Sequence, residues 1–86
     1  MEEFELAFPC DFGIKVIGVD EDDFEIFVRR VVAQHVPEVL PEHFSTKNSR
    51  ENTYLSVSVE FLAESRAQVS ALYQALGQDP RVKVVL

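Results

Sequence analysis

Apolar and polar residues alternate along two long stretches of the chain, and this two-residue period predicts β-strands. The first alternation covers residues 12–19. The second is strict over residues 54–61, where one face carries four apolar side chains: Leu55, Val57, Val59 and Phe61. A shorter strand is predicted near residues 44–47, and a last one over residues 82–86. The pattern therefore predicts four strands.

Between the first two strands, apolar residues recur three or four positions apart, which is the period of an α-helix. One face of this first helix carries Phe24, Phe27, Val28, Val31 and His35. Pro37 ends the helix, because proline lacks a backbone N–H and clashes with the preceding turn. Asp20 is the expected N-cap, and the carboxylates of residues 21–23 fill the first turn, where they interact favourably with the helix dipole.

A second helix is predicted between the third and fourth strands. Ser65 and Gln68 have the spacing of a capping box, in which each side chain accepts a hydrogen bond from the other residue's backbone. The core stripe of this helix is Val69, Leu72, Tyr73 and Leu76. Gly77 follows the stripe directly and is expected in the left-handed conformation that commonly ends a helix.

The resulting order of elements, β-α-β-β-α-β, predicts an α+β fold of the ferredoxin-like type. Right-handed crossovers around a central hairpin give a βαββαβ plait, a four-stranded antiparallel sheet in the order 4-1-3-2 with two helices on one face. The chain of 86 residues is expected to form one domain over residues 1–86, with residues 1–7 as a loose acidic leader.

Charge and composition exclude several classes of partner. The net charge is −7, and nine of the fifteen acidic residues fall within residues 1–25. This sign opposes general nucleic-acid binding. The chain has no apolar run long enough to span a membrane, and the start of the sequence is acidic where a signal peptide is basic. The single cysteine, Cys10, fits a reducing compartment. These features predict a cytoplasmic protein that binds neither nucleic acid nor membranes.

The sequence also lacks the combinations of residues that catalysis or metal binding requires. Cys10 has no nearby histidine that could activate it as a nucleophile, and His35 and His43 do not have a metal-ligand spacing. Residues 18–23, which follow the first strand, contain no cysteine that could bind a soft metal, and a loop that starts at Asp20 does not match the EF-hand pattern. We therefore expect no catalytic residues, no metal and no cofactor, and predict that the protein is not an enzyme.

Strand alternation divides the sheet into two faces. The side predicted to face the helices consists of Ile14, Val16, Leu55, Val57, Val59, Val82 and Val84. The open side supplies a candidate interaction face formed by Lys15, Ile17, Val19, Ser56, Ser58, Lys83 and Val85. An apolar strip with a charged rim is typical of an interaction surface. The leading hypothesis is a non-enzymatic regulatory or protein-interaction module that binds a protein partner, or a second copy of itself, through this face.

Four segments in order, residues 8–18, 54–59, 72–76 and 81–86, resemble the YbeD-like family of short bacterial cytoplasmic proteins. The resemblance starts at Phe8 and leaves residues 1–7 unmatched. It implies an α/β plait similar to the ACT regulatory domains of amino-acid metabolism, and no catalytic activity. Gly18 matches the glycine beside which such domains bind an amino acid at a dimer interface. The alternative hypothesis is therefore an ACT-like domain that senses a small metabolite at a dimer interface.

Overall fold

The computed structural model describes residues 7–21, 23–49, 51 and 53–86. The elements follow the predicted order, with one short 3₁₀ turn at Pro41–His43 between the first helix and the second strand. The helices and strands are β1 (Cys10–Val19), α1 (Phe24–His35), β2 (Phe44–Asn48), β3 (Tyr54–Ala63), α2 (Arg66–Gly77) and β4 (Val82–Val85). Both long strands extend two residues beyond the predicted alternation, β1 at its start and β3 at its end. The predicted acidic leader, residues 1–7, lies almost entirely outside the described residues.

The four strands form one antiparallel sheet in the order β2-β3-β1-β4, which is the predicted order viewed from the other edge. The central strands β1 and β3 pair over their full length, from Cys10 with Ala63 to Val19 with Tyr54. Both helices pack on the same face of the sheet, and one core forms between the two layers. The ferredoxin-like plait is confirmed.

The core is entirely apolar among the described residues. The fully buried side chains with the largest volumes are Phe24, Leu72, Leu76, Val16, Val28, Val32, Val57 and Val59. All but Val32 belong to the predicted stripes. Val32 is buried because the apolar face of α1 is wider than a single stripe, so that adjacent valines 31 and 32 both contact the core.

The first helix begins later than predicted. Asp23, not Asp20, is the N-cap residue of α1, and its side chain makes no capping hydrogen bond. The Asp20 carboxylate instead accepts a hydrogen bond from Asn48 Nδ2 at 2.9 Å, and its backbone N–H donates to Thr53 O at 3.0 Å. These bonds hold Asp20 in an extended segment at the end of the sheet, so that α1 begins only at Phe24. Asp22, part of the predicted first turn, is outside the described residues.

The second helix has the predicted start and a different end. Ser65 Oγ accepts a hydrogen bond from the backbone N–H of Gln68 at 3.1 Å, as a capping box requires. The Gln68 side chain accepts from the backbone N–H of Glu64 instead of that of Ser65. Gly77 is the last helical residue and does not adopt a left-handed conformation. The chain instead turns at Asp79, whose N–H donates to Leu76 O at 3.4 Å.

The last strand contains a β-bulge that reverses part of the predicted assignment of faces. Ile17 pairs with Val84, whereas the next residue of β1 pairs with Val82, so Lys83 has no partner on β1. Because paired residues point to the same face, this extra residue places Val84 on the open face and Val85 on the helix side. Val85 packs against the core, and Val84 is 39% exposed. The predictions that Val84 faces the helices and that Val85 faces outward are wrong.

Candidate functional site: the open face of the sheet

Two adjacent rows of four side chains cross the middle of the open sheet face; the first has one residue from every strand, and the second ends on the residue that follows β4. Strand pairing places four residues in the first row: Lys47, Ser56, Ile17 and Val84. The neighbouring row contains Ser45, Ser58, Lys15 and Leu86. Leu86 belongs to it because reciprocal backbone hydrogen bonds of 3.1 and 2.8 Å join Leu86 to Lys15. We call these eight residues the two-row patch.

On the β1 and β4 side of the two-row patch, every side chain except that of Lys15 is apolar. Ile17 is half-buried, and the side chains of Val84 and Leu86 are 39% and 62% exposed. Beyond the first row, the pair formed by Val19 and Tyr54 continues this apolar surface, and Tyr54 is 42% exposed. The open face therefore presents a continuous apolar ridge that runs from the end of β1 to the edge strand β4, next to the serines of β3.

Lysines border this ridge. Lys15 and Lys47 belong to the two-row patch, and Lys83 is exposed at the bulge of β4. None of the three forms an ion pair with another described residue. Among the described strand residues, the acidic position nearest to the two rows on the same face is Glu60, which lies in the next row and pairs with Gly13. The two-row patch is therefore positive, although the whole chain has a net charge of −7.

The structure brings together most of the residues predicted for this face. Five of them lie on it as expected: Lys15, Ile17, Val19, Ser56 and Ser58. Lys83 is exposed at the bulge, and Val85 is on the opposite side. Sequence reasoning missed Val84, Leu86 and Lys47. The alternation of residues along β2 is enough to predict Lys47 on this face. No residue pattern in the sequence predicts the bulge of β4, which places Val84 and Leu86 on it.

The loop between β1 and α1 has a different character, because aromatic and charged side chains fill it. The Phe24 ring packs against the backbone of Gly18. The guanidinium of Arg81 lies over both Phe24 and Phe27, with distances to the ring centroids of 5.6 and 5.3 Å. Arg81 also forms an ion pair with Asp79 at 2.9 Å. On the helix side of the sheet, the space directly beside Gly18 is thus filled by the protein's own side chains.

The Arg81 side chain also changes the titration of its partner. Asp79 Oδ1 accepts hydrogen bonds from the backbone N–H and Nε of Arg81, and Oδ2 accepts from Nη2, at 2.8 to 2.9 Å. These bonds hold the pKa of Asp79 below its usual value of 3.8, against the smaller opposing effect of burial. This ion pair joins residues two positions apart and stabilises the turn between α2 and β4.

The candidate reactive side chains lie apart and have local partners. Cys10 is half-buried at the start of β1. His35 Nδ1 donates to Val31 O at 3.0 Å, and His43 Nδ1 accepts from the backbone N–H of Leu40 at 3.0 Å. In the described parts of the chain, no three of its histidine, cysteine and acidic side chains form a metal-binding group. Nor does any described helix have the length and apolar character needed to cross a membrane.

Comparisons with known proteins agree with this architecture. A solution structure of a protein from H. pylori matches with a TM-score of 0.71 at 14% identity, covering 99% of this chain and 89% of that one. The ACT domain of a GTP pyrophosphokinase from Chlorobium tepidum matches with a TM-score of 0.66 at 14% identity, covering 90% and 97%. At these identities the likeness shows the fold alone, and that fold is ACT-like.

Sequence comparison identifies the family. A UPF0250 protein of Nitrosomonas europaea is 35% identical over 85 residues, which are 99% of this chain and 98% of that protein. The model of the DUF493 family, whose members are proteins of unknown function, matches residues 3–86. The similarity therefore starts before Phe8, the residue at which the YbeD-like resemblance was expected to begin. The YbeD-like resemblance is confirmed, and the chain belongs to the DUF493 family of bacterial proteins, which includes its UPF0250 relatives.

Proposed function

We propose that this protein is a non-enzymatic interaction module, and that the two-row patch binds an acidic, partly apolar surface of a partner protein. The observation that supports this proposal is the exposed apolar ridge on the β1 and β4 side of the open face, directly beside lysines that form no ion pair with another described residue. Apolar surface with a polar rim is the usual composition of a protein interface. Binding would remove Ile17, Val84 and Leu86 from water, which is favourable in proportion to the apolar area buried.

The charge of the patch favours a partner different from this chain. A symmetric contact through the same face would bring Lys15 and Lys47 of both copies into one interface, and the two rows hold no acidic side chain that could pair with them. Like charges brought together in an interface oppose association. An acidic partner would instead pair with these lysines and be steered to the face by their field.

The proposal is tested by matched substitutions on two surfaces of the folded protein. Ile17→Glu and Lys15→Glu alter the patch, and Ile26→Glu and Arg30→Glu make the same changes of charge on the exposed surface of α1. A partner captured by the wild-type protein from the source bacterium is purified, and its affinity for all five forms is measured. We expect each patch variant to bind at least tenfold more weakly and both α1 variants to bind as the wild type does. Binding should also weaken as the salt concentration rises.

Two outcomes would contradict the proposal. Equal affinities for the patch and α1 variants would place the functional surface elsewhere. The second outcome comes from light scattering, which measures the mass of the wild type and of Ile17→Glu in solution. If the wild type is a dimer and Ile17→Glu is a monomer, a second copy of the chain covers the open face. Circular dichroism of every variant establishes that the fold is retained, so that lost binding is not lost folding.

A further inference from the structure

A pocket of about 190 Å³ lies at the opposite end of the sheet from the β1–α1 loop. It is formed where the chain leaves α1 and passes the last residues of β3, and it is lined by Val36, Glu38, Val39, His43, Phe61, Leu62 and Glu64. Val36 and Phe61 are buried core residues, and Val39 packs against the core. The floor of the pocket is therefore apolar and rigidly supported.

Three polar side chains also line the pocket, namely two glutamates and one histidine. The carboxylates of Glu38 and Glu64 are exposed, and neither forms an ion pair with another described residue. His43 is held by the hydrogen bond that its Nδ1 accepts from Leu40 N–H, which leaves Nε2 as the nitrogen that carries the proton in the neutral ring. A ligand that suits this pocket has an apolar group for the floor and a positive charge for the two carboxylates.

The sheet edge beside the pocket is not paired by a strand. β2 pairs with residues 55–59 of β3 and stops at the pair of Phe44 with Val59. The last four residues of β3, 60–63, pair with β1 alone among the described strands. Pro41–His43 runs past them as a 3₁₀ turn, and no backbone hydrogen bond is found between the two segments. Extended peptides commonly bind such an edge by adding a strand to the sheet.

From these observations we propose that the pocket is a docking site for an extended segment of a partner protein, separate from the two-row patch. The segment places one apolar side chain on the floor formed by Val36, Val39 and Phe61. Lysine or arginine residues beside it pair with Glu38 and Glu64. The pocket volume lies below the range of roughly 300–1,000 Å³ that is usual for small-molecule and cofactor sites, and suits a single side chain.

Fluorescently labelled, end-blocked peptides test this site on the full chain by fluorescence polarisation. The probe Lys-Leu-Lys-Val-Lys has both required features, Lys-Ser-Lys-Ser-Lys lacks the apolar side chains, and Glu-Leu-Glu-Val-Glu reverses the charge. We expect the first to bind at least tenfold more tightly than either of the others. The double variant Glu38→Gln, Glu64→Gln should lower its affinity at least tenfold, whereas Glu21→Gln, Glu51→Gln, with the same change of charge at the other end of the sheet, should not.

The outcomes separate this site from its alternatives. Equal binding of Lys-Ser-Lys-Ser-Lys would mean that charge alone attracts the probe, and an equal loss in both double variants would mean that the pocket is not the site. If n-hexylamine displaces the labelled probe at the same concentration as the unlabelled peptide does, the pocket binds a free amine and not a peptide segment. Each of these results overturns the proposal. Amide chemical shifts of residues 60–63 that change on titration with the first probe would support strand addition.

Discussion

The ring of Phe24 lies against the backbone of Gly18, and this contact leaves no space for a side chain at position 18. A Cβ atom there would be 2.7 Å from Phe24 Cε1 and 2.6 Å from the carbonyl oxygen of Arg81. Gly18 does not have a positive φ, so the position requires glycine for its small volume and not for its backbone freedom. At this point β1, the start of α1 and the segment before β4 meet.

The first prediction is that Gly18→Ala destabilises the protein by about 1–3 kcal/mol, the usual cost of overpacking. Neither the Arg81 carbonyl nor the buried Phe24 ring can move without disturbing the core. Gly77→Ala is the matched control, because a Cβ at this helical position meets nothing within 4 Å. It should stabilise the protein by roughly 0.5–1 kcal/mol. Urea denaturation measures both values, and equal stabilities for the two variants would contradict the packing argument.

The two helix starts give the second prediction. Ser65→Ala should cost about 1 kcal/mol of unfolding free energy, because it removes the hydrogen bond accepted from Gln68 N–H. Asp23→Ala should cost less than about 0.5 kcal/mol, the usual range for surface changes, because the Asp23 side chain caps nothing. Thermal and chemical denaturation of both variants provide the measurement. A larger loss for Asp23→Ala would show that the carboxylate stabilises α1 through a contact that the structure does not contain.

Most of the fold followed from the periodicity of the sequence, because burial on one face of each element imposes that periodicity. Val57 and Leu72 exemplify this, since each occupies a position where a polar residue would bury an unpaired group. The start of α1 could not be predicted in the same way. Asp20 satisfies every local rule for an N-cap, and its true partner, Asn48, is 28 residues away along the chain. Local rules carry no information about such a contact.

In the candidate site too, the sequence pattern predicts the positions that depend on strand alternation and does not predict those that depend on how two strands align. Lys15 and Ile17 lie in a long strand paired on both sides, so that alternation alone assigned them to the open face. The bulge at Lys83 depends on how a strand of only four residues aligns with β1. A shift of one residue reverses every side chain beyond it, and the valine-rich sequence of β4 is apolar in either register.

The third prediction concerns pH. The pKa of Asp79 is lowered in the folded protein by its hydrogen bonds with Arg81, so between 3.8 and the lowered value the unfolded chain binds more protons than the folded one. Its contribution to stability is therefore complete above 3.8 and disappears as the pH falls through the folded pKa. We expect the stability difference between the wild type and Asp79→Asn to be constant from pH 7 to about pH 5 and to shrink below 3.8. Urea denaturation across this range measures it, and a difference independent of pH would contradict the prediction.

The fourth prediction tests the bulge of β4, on which the shape of the two-row patch depends. Val84 is exposed on the open face, so Val84→Glu should change the unfolding free energy by less than about 1 kcal/mol. Val85 packs against the core, so Val85→Glu places an unpaired carboxylate among apolar groups and should cost several kcal/mol or unfold the domain. Val84→Thr and Val85→Thr repeat the comparison without adding charge, and the same order is expected with smaller differences. Denaturation curves of the four variants decide between the registers, because a regular strand without the bulge requires the opposite order. In a strand that continued the register of Gly18 with Val82, Lys83 would pair with Ile17 and Val85 with Lys15, and the apolar ridge would have to be redrawn.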